Sequence, residues 1–63
     1  MKIEAQNLTN NSRIANYSDG KAAQIEGVIH DRLANVVIVT VRHPKTNVME
    51  PIVFRPTETV TVS

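Results

Sequence analysis

The chain has no cysteine and no tryptophan, a single tyrosine, a single phenylalanine and only two glycines. Without cysteine there can be no disulfide, no thiolate zinc site and no thiol nucleophile. That absence suits a reducing compartment, and a cytoplasmic location is the expectation. With glycine confined to Gly20 and Gly27, there is no Gly-rich loop to cradle phosphates. No apolar run approaches the ~18 residues of a membrane span, so no membrane association is expected. The opening segment "MKIEAQNLTNNS" has a lysine but no apolar stretch after it, so a secretion signal is not expected. The N-x-[ST] patterns at Asn7, Asn10 and Asn16 then follow from an Asn-rich segment rather than from glycosylation.

A surplus of one charge sign is also missing. Seven Lys and Arg stand against six Asp and Glu, for a net charge of +1. Lys2 and Arg13 cancel Glu4 and Asp19 in the first twenty residues, and neither half forms a charged tail. Such a balance gives little electrostatic basis for non-specific nucleic-acid binding, which rests on many phosphate contacts.

What the chain does have is β-branched residues, and they are concentrated at one end. Ten Val or Ile residues and Phe54 fall between Asn35 and Ser63. Sixty-three residues make one small domain, and a chain of that size buries only about 60% of the surface it exposes when unfolded. Small domains gain stability from disulfides, a metal or self-association. With the first excluded, a homo-oligomer is the expectation.

The strand signals are clearest in that second half. Val36–Arg42 is β-branched at six of seven positions, as in a strand central to a sheet or covered on both sides. His43-Pro44-Lys45-Thr46-Asn47 breaks it. Val48–Phe54 resumes with Pro51 inside, which marks an edge strand or a bulge. Ile52 and Phe54 share one face there, Val53 and Arg55 the other. Thr59–Ser63 alternates strictly, with Val60 and Val62 on the apolar side. Earlier, Lys2–Ala5 reads as a short first strand and residues 6–12 as a flexible loop or arm, given their Asn and hydroxyl content. Asp19-Gly20 suits a tight hairpin turn with positive φ at both central positions, between strands at Ile14–Tyr17 and Ala22–Ile29.

That last segment fits two periods. With period two, Ala23, Ile25, Gly27 and Ile29 share one face, and Gln24, Glu26, Val28 and His30 the other. At helical spacing, Ala22, Ile25, Ile29 and Leu33 form a stripe, with Asp19 placed to cap it. Gly27 costs a helix about 1 kcal/mol relative to Ala, and Ile25, Val28 and Ile29 are β-branched. The strand is preferred. The fold expected is therefore all-β, a small five-stranded antiparallel meander. Its alternative is α+β, one helix over about 19–34 on a three-stranded antiparallel sheet.

The stretch "YSDGKAAQIEGVIHDRLANVVIVTV" resembles the first half of SH3-like small barrels, including Tudor and KOW modules. In those, a D-G turn precedes an I-x-G-x-I strand and a V-x-V-x-V strand. "QIEGVIHDRLANVVIV" with "PIVFRPTETVTVS" is also similar to Sm-like chains. The resemblance implies an SH3-like or Sm-like barrel and covers roughly residues 14–63; its motifs fit many β-meanders, so no family is assigned from it. Tudor-type methyl-ligand binding needs an aromatic cage, and Tyr17 and Phe54 are too few to build one. Tyr17 is expected beside the hairpin and Phe54 in the core.

Catalytic and metal chemistry find no motif. A zinc site takes about three or four converging ligands, and the spacing of His30, Asp31 and His43 matches no ligand pattern. No Ser or Thr sits in a nucleophile-elbow context. No enzyme, no metal and no cofactor is therefore expected. The candidate binding residues are the basic turn Arg42, His43 and Lys45, with Arg32 and Arg55 nearby if the meander closes, and Tyr17. The function expected is a non-enzymatic binding or regulatory module acting through protein–protein contacts and self-association. Recognition would use sheet-edge pairing along Val48–Phe54 or the loop surface at Arg42–Asn47. The alternative is a small-barrel nucleic-acid (RNA or DNA) binding protein using the Arg42–Lys45 turn.

Overall fold

A computed structural model describes all residues from Met1 to Ser63. The chain is all-β, with six strands and one 3₁₀ turn. β1 is Lys2–Glu4, the 3₁₀ turn Ala5–Asn7, β2 Arg13–Ser18, β3 Lys21–Asp31, β4 Val36–Arg42, β5 Met49–Phe54 and β6 Thr59–Thr61. No helix is long and apolar enough to cross a membrane. Strands β2-β3-β4-β5 form an antiparallel meander, and β1 pairs with β6. Beyond the end of β6, a bridge between Ile14 and Val62 and the Ser63 N–H donating to the Arg13 carbonyl tie it to β2. The N–H groups of Ala5 and Gln6 donate to the carbonyls of Glu58 and Pro56. These bonds draw the two ends of the strand array together, and the sheet curls into a barrel-like fold.

Asp19-Gly20 makes the β2–β3 turn as its chemistry demands. Both residues have positive φ, 49° and 78°, and Ser18 pairs with Lys21 around them. The β3–β4 loop closes from Asp31 to Val36. Asp31 Oδ1 accepts the Ala34 N–H at 3.1 Å, and Asn35 takes φ 55°. Asn tolerates that left-handed conformation better than other side chains, and glycine better still. Asn35→Gly is expected to raise or hold stability, and Asn35→Val to lower it by about 1–2 kcal/mol; urea titration of the three proteins checks the order.

The α+β alternative is overturned, because residues 21–31 form a single long strand. A bulge between Ile25 and Gly27 explains why that segment looked helical. Up to Ile25 the inward residues are Ala23 and Ile25; beyond the extra residue Glu26 the phase flips. Val28 then packs on the core, while Ile29 turns outward and is 61% exposed. The step of three from Ile25 to Val28 imitates helical spacing. The simple period-two assignment needs the same correction: Gly27 and Ile29 leave the face of Ala23 and Ile25, and Val28 and His30 join it. A Cβ on Gly27 would meet nothing within 4 Å, so bending rather than close packing is the local event there.

The core holds ten buried residues: Ala5, Leu8, Ile14, Ala23, Ile25, Val37, Val39, Val41, Val60 and Val62. No charged or polar side chain is buried among them. Val60 and Val62 point inward as the alternation predicts, and Phe54 and Tyr17 pack partly buried against this core. Residues 6–12 contribute Leu8, buried despite its polar neighbours, after a turn that begins with the fully buried Ala5.

Candidate functional site

The six candidate binding residues divide between opposite ends of the sheet. β4 runs from the Asp31–Val36 loop to the turn after Arg42, so Arg42, His43 and Lys45 lie at one end. Arg32 follows β3 and Arg55 follows β5, both at the other end. The meander thus does not bring Arg32 and Arg55 to the basic turn, because an odd number of antiparallel strand passages separates them from it. His30 and Asp31 are likewise distant from His43, and no three His, Asp or Glu side chains converge anywhere.

The turn end is neutralised from within. Arg42 Nε donates to Glu26 Oε2 at 3.1 Å, and Lys45 forms an ion pair with Asp19. His43 stacks edge-on against Tyr17, ring centroids 5.8 Å apart, and its Nδ1 accepts the Lys45 N–H at 3.1 Å. Tyr17 lies beside Glu50. Desolvation first, then the charge of Glu50 and a hydrogen bond to it, push the Tyr17 phenol above its ordinary 10.0. A raised folded-state value means the folded protein holds this proton more tightly than the unfolded chain. The associated stability is present below pH 10.0 and fades as pH climbs through the folded-state value. Tyr17 is the only tyrosine, so tyrosinate absorbance follows it alone. Its midpoint is expected above the free-tyrosine value and should fall toward it in Glu50→Gln.

At the loop end, Arg32 and Arg55 have no carboxylate partner. They border two adjoining shallow grooves that share Gln6, Asn35, Val36 and Pro56. The grooves are open and of mixed character; His30 lines the first, and no Phe, Tyr or Trp lines either. Asp31 lies in the first of them, which tempers the positive charge of Arg32.

A third region carries no charge at its centre and is apolar. The outward face of β3, β4 and β5 carries an apolar row whose members share one register line: Ile29 opposite Ile38, and Ile38 opposite Val53. Ile29 and Val53 are 61% and 60% exposed. Rows on either side add Gly27, Thr40 and Pro51, and Asp31 with Val36. Val48 and Met49 are exposed at one end and Leu33 is entirely exposed at the other. β4 owes its doubly apolar sequence to this arrangement: Val37, Val39 and Val41 fill the core while Val36 and Ile38 face out.

Comparisons with family models, with curated proteins and with solved structures found no match. The reading of the site therefore rests on its residues.

β5 is the terminal strand of the meander, and its open edge has a definite phase. The His43 N–H donates to the Val48 carbonyl. Continuing that register, Glu50, Ile52 and Phe54 exchange bonds with β4, while Met49, Pro51 and Val53 aim their backbone groups outward. Pro51 removes the middle donor of the three. An edge interrupted in this way resists extension by another strand. The face beside it has no such protection.

Proposed function

We propose that this protein is a non-enzymatic binding module that works as a self-associated assembly through the outer face of β3, β4 and β5. The observation that carries this is the Ile29–Ile38–Val53 row, apolar across three strands, with Ile29 and Val53 mostly exposed and Ile38 half-buried between them. Contiguous apolar surface on a soluble chain marks an interaction site more often than it marks chance. The size of the core supports the same conclusion. Ten buried residues, four of them fully buried branched side chains, make a thin interior for 63 residues. Covering the outer face adds apolar burial that a single copy cannot supply.

Nucleic-acid binding through the Arg42–Lys45 turn has less to support it. Arg42 and Lys45 are each engaged by a carboxylate of the same chain, and phosphate would have to displace both. The charge balance of +1 weighs the same way.

Sedimentation velocity at micromolar protein tests the proposal. A dimer or larger species that dissociates on dilution is the expected result; a monomer at every concentration would refute it.

A further inference from the structure

The register of the outer face also specifies how a second copy sits on it, an inference that rests on the self-association proposed above. β4 is flanked by β3 on one side and β5 on the other, and residues in one row lie at one height along the strands. Three rows matter: Gly27–Thr40–Pro51, then Ile29–Ile38–Val53, then Asp31–Val36. Arg55 extends the third row. It comes directly after β5, whose last pair is Phe54 with the inward Val37. Alternation continued one residue past the strand end would set Arg55 on the outer face at the height of Val36, with which it lines one groove.

The geometry points to a face-to-face homodimer whose two-fold axis runs along β4, pairing Asp31 of each copy with the partner's Arg55. A rotation about that axis exchanges β3 with β5 and leaves every row at its own height. Ile29 then meets the partner's Val53, and Ile38 and Val36 each meet their own counterparts. At the corners, each Asp31 faces the partner's Arg55, so two ion pairs flank the apolar centre. Aligned packing of this kind is how two sheets ordinarily bury their faces, about 10 Å apart.

Charge complementarity singles out this axis. The other two-fold in the plane of the interface, running along the central row, inverts the order of the rows. It sets Asp31 over the partner's Gly27 and Arg55 over the partner's Pro51, leaving all four charges against uncharged residues. Edge-to-edge pairing of β5 with a second β5 centred on Pro51 loses both bonds of its central pair, since proline has no N–H. Both groups required at the corners are free to pair. Arg55 has no carboxylate partner in its own chain, and Asp31 uses only Oδ1, on the Ala34 N–H. One face of three strands offers less than the ~800 Å² per partner of a standard interface, and a weak, micromolar dimer is expected.

A charge exchange tests the arrangement by sedimentation equilibrium on the full chain. Arg55→Asp places two acids together at both corners and is expected to weaken the dimer about tenfold. Asp31→Arg places two arginines together and should do the same. The double variant D31R/R55D restores opposite charges at both corners and is expected to return within about threefold of the wild-type dissociation constant. Because Asp31 also holds the β3–β4 loop, Asp31→Asn serves as the second variant: it keeps an acceptor for Ala34, and circular dichroism should show an intact fold with a weaker dimer. As a further readout, Ile38→Cys introduces a single thiol near the axis, so a short bismaleimide should join two copies there. Dimers that ignore the charge exchange and fail to crosslink would overturn this geometry while leaving self-association standing. A wild-type chain that never dimerises would overturn both.

Discussion

Ile25→Ala is expected to leave the protein largely unfolded at physiological temperature. Ile25 is 1% exposed and sits where β3 bends, opposite Val41 on the central strand. Cutting a buried isoleucine to alanine costs about 2–5 kcal/mol, from lost burial and from the cavity left behind. Domains of this length hold roughly 3–9 kcal/mol in total. One substitution therefore removes about a fifth of the stability at the least, and at the upper end of the cost exceeds all of it. Relaxation will not recover much, because the neighbours that would have to collapse inward are short. Ala23 and the valines of β4, held in strand pairings, and Ala5, held by its N–H on the Glu58 carbonyl, belong to the same core cluster. Thermal melts followed by circular dichroism check the result. A midpoint within a few degrees of wild type would mean that the core is not centred on β3 and β4. By contrast, Ile29→Ala on the same strand should hardly move the midpoint in dilute solution, since Ile29 is mostly exposed.

Comparing those two isoleucines shows what the sequence could and could not disclose. Four residues apart, they seem equivalent in any fixed alternation, and only the bulge separates them. Where a strand has no bulge, its pattern was legible: β4 matches Val36–Arg42 residue for residue, and Val60 and Val62 turn inward as expected. The Asp19-Gly20 turn was legible too, because positive φ at two successive positions is a local demand that few residue pairs meet. The charged cluster was not. Arg42 pairs with Glu26 and Lys45 with Asp19, partners far away in the chain that meet only once the register is set. The same holds for Arg32 and Arg55, whose separation from the basic turn follows from strand direction alone. Leu8 was hidden for another reason: its burial depends on a 3₁₀ turn inside a run of Asn and Thr that reads as loop. The apolar outer row was present in the letters of β4 as a strand greasy on both sides. What its second side faces depends on which strands flank it, and that is a property of the folded sheet.

Val53→Lys is expected to abolish self-association at micromolar concentration while leaving the monomer folded. Val53 is 60% exposed on β5, and its neighbour in register is Ile38 rather than any core residue. The monomer loses little from the change, within about 0.5 kcal/mol for an exposed position. Lysine is moreover a residue that natural edge strands carry to discourage pairing. The assembly loses much more. Burying a valine fully is worth about 1.5 kcal/mol at the low end; the 60% of Val53 still exposed accounts for about 0.9 kcal/mol of that, and symmetry removes it twice. About 1.8 kcal/mol in the association free energy corresponds to roughly twentyfold in dissociation constant, before the larger penalty of desolvating two ammonium groups is added. Thr59→Lys provides the control, since Thr59 is exposed on β6, outside the meander that forms the proposed face. The two variants have the same net charge and differ only in where the lysine stands. Loss of the dimer in both would trace the effect to overall charge, and its persistence in Val53→Lys would mean that the copies meet through another surface. Loss in Val53→Lys alone places the contact on the outer face of β3, β4 and β5.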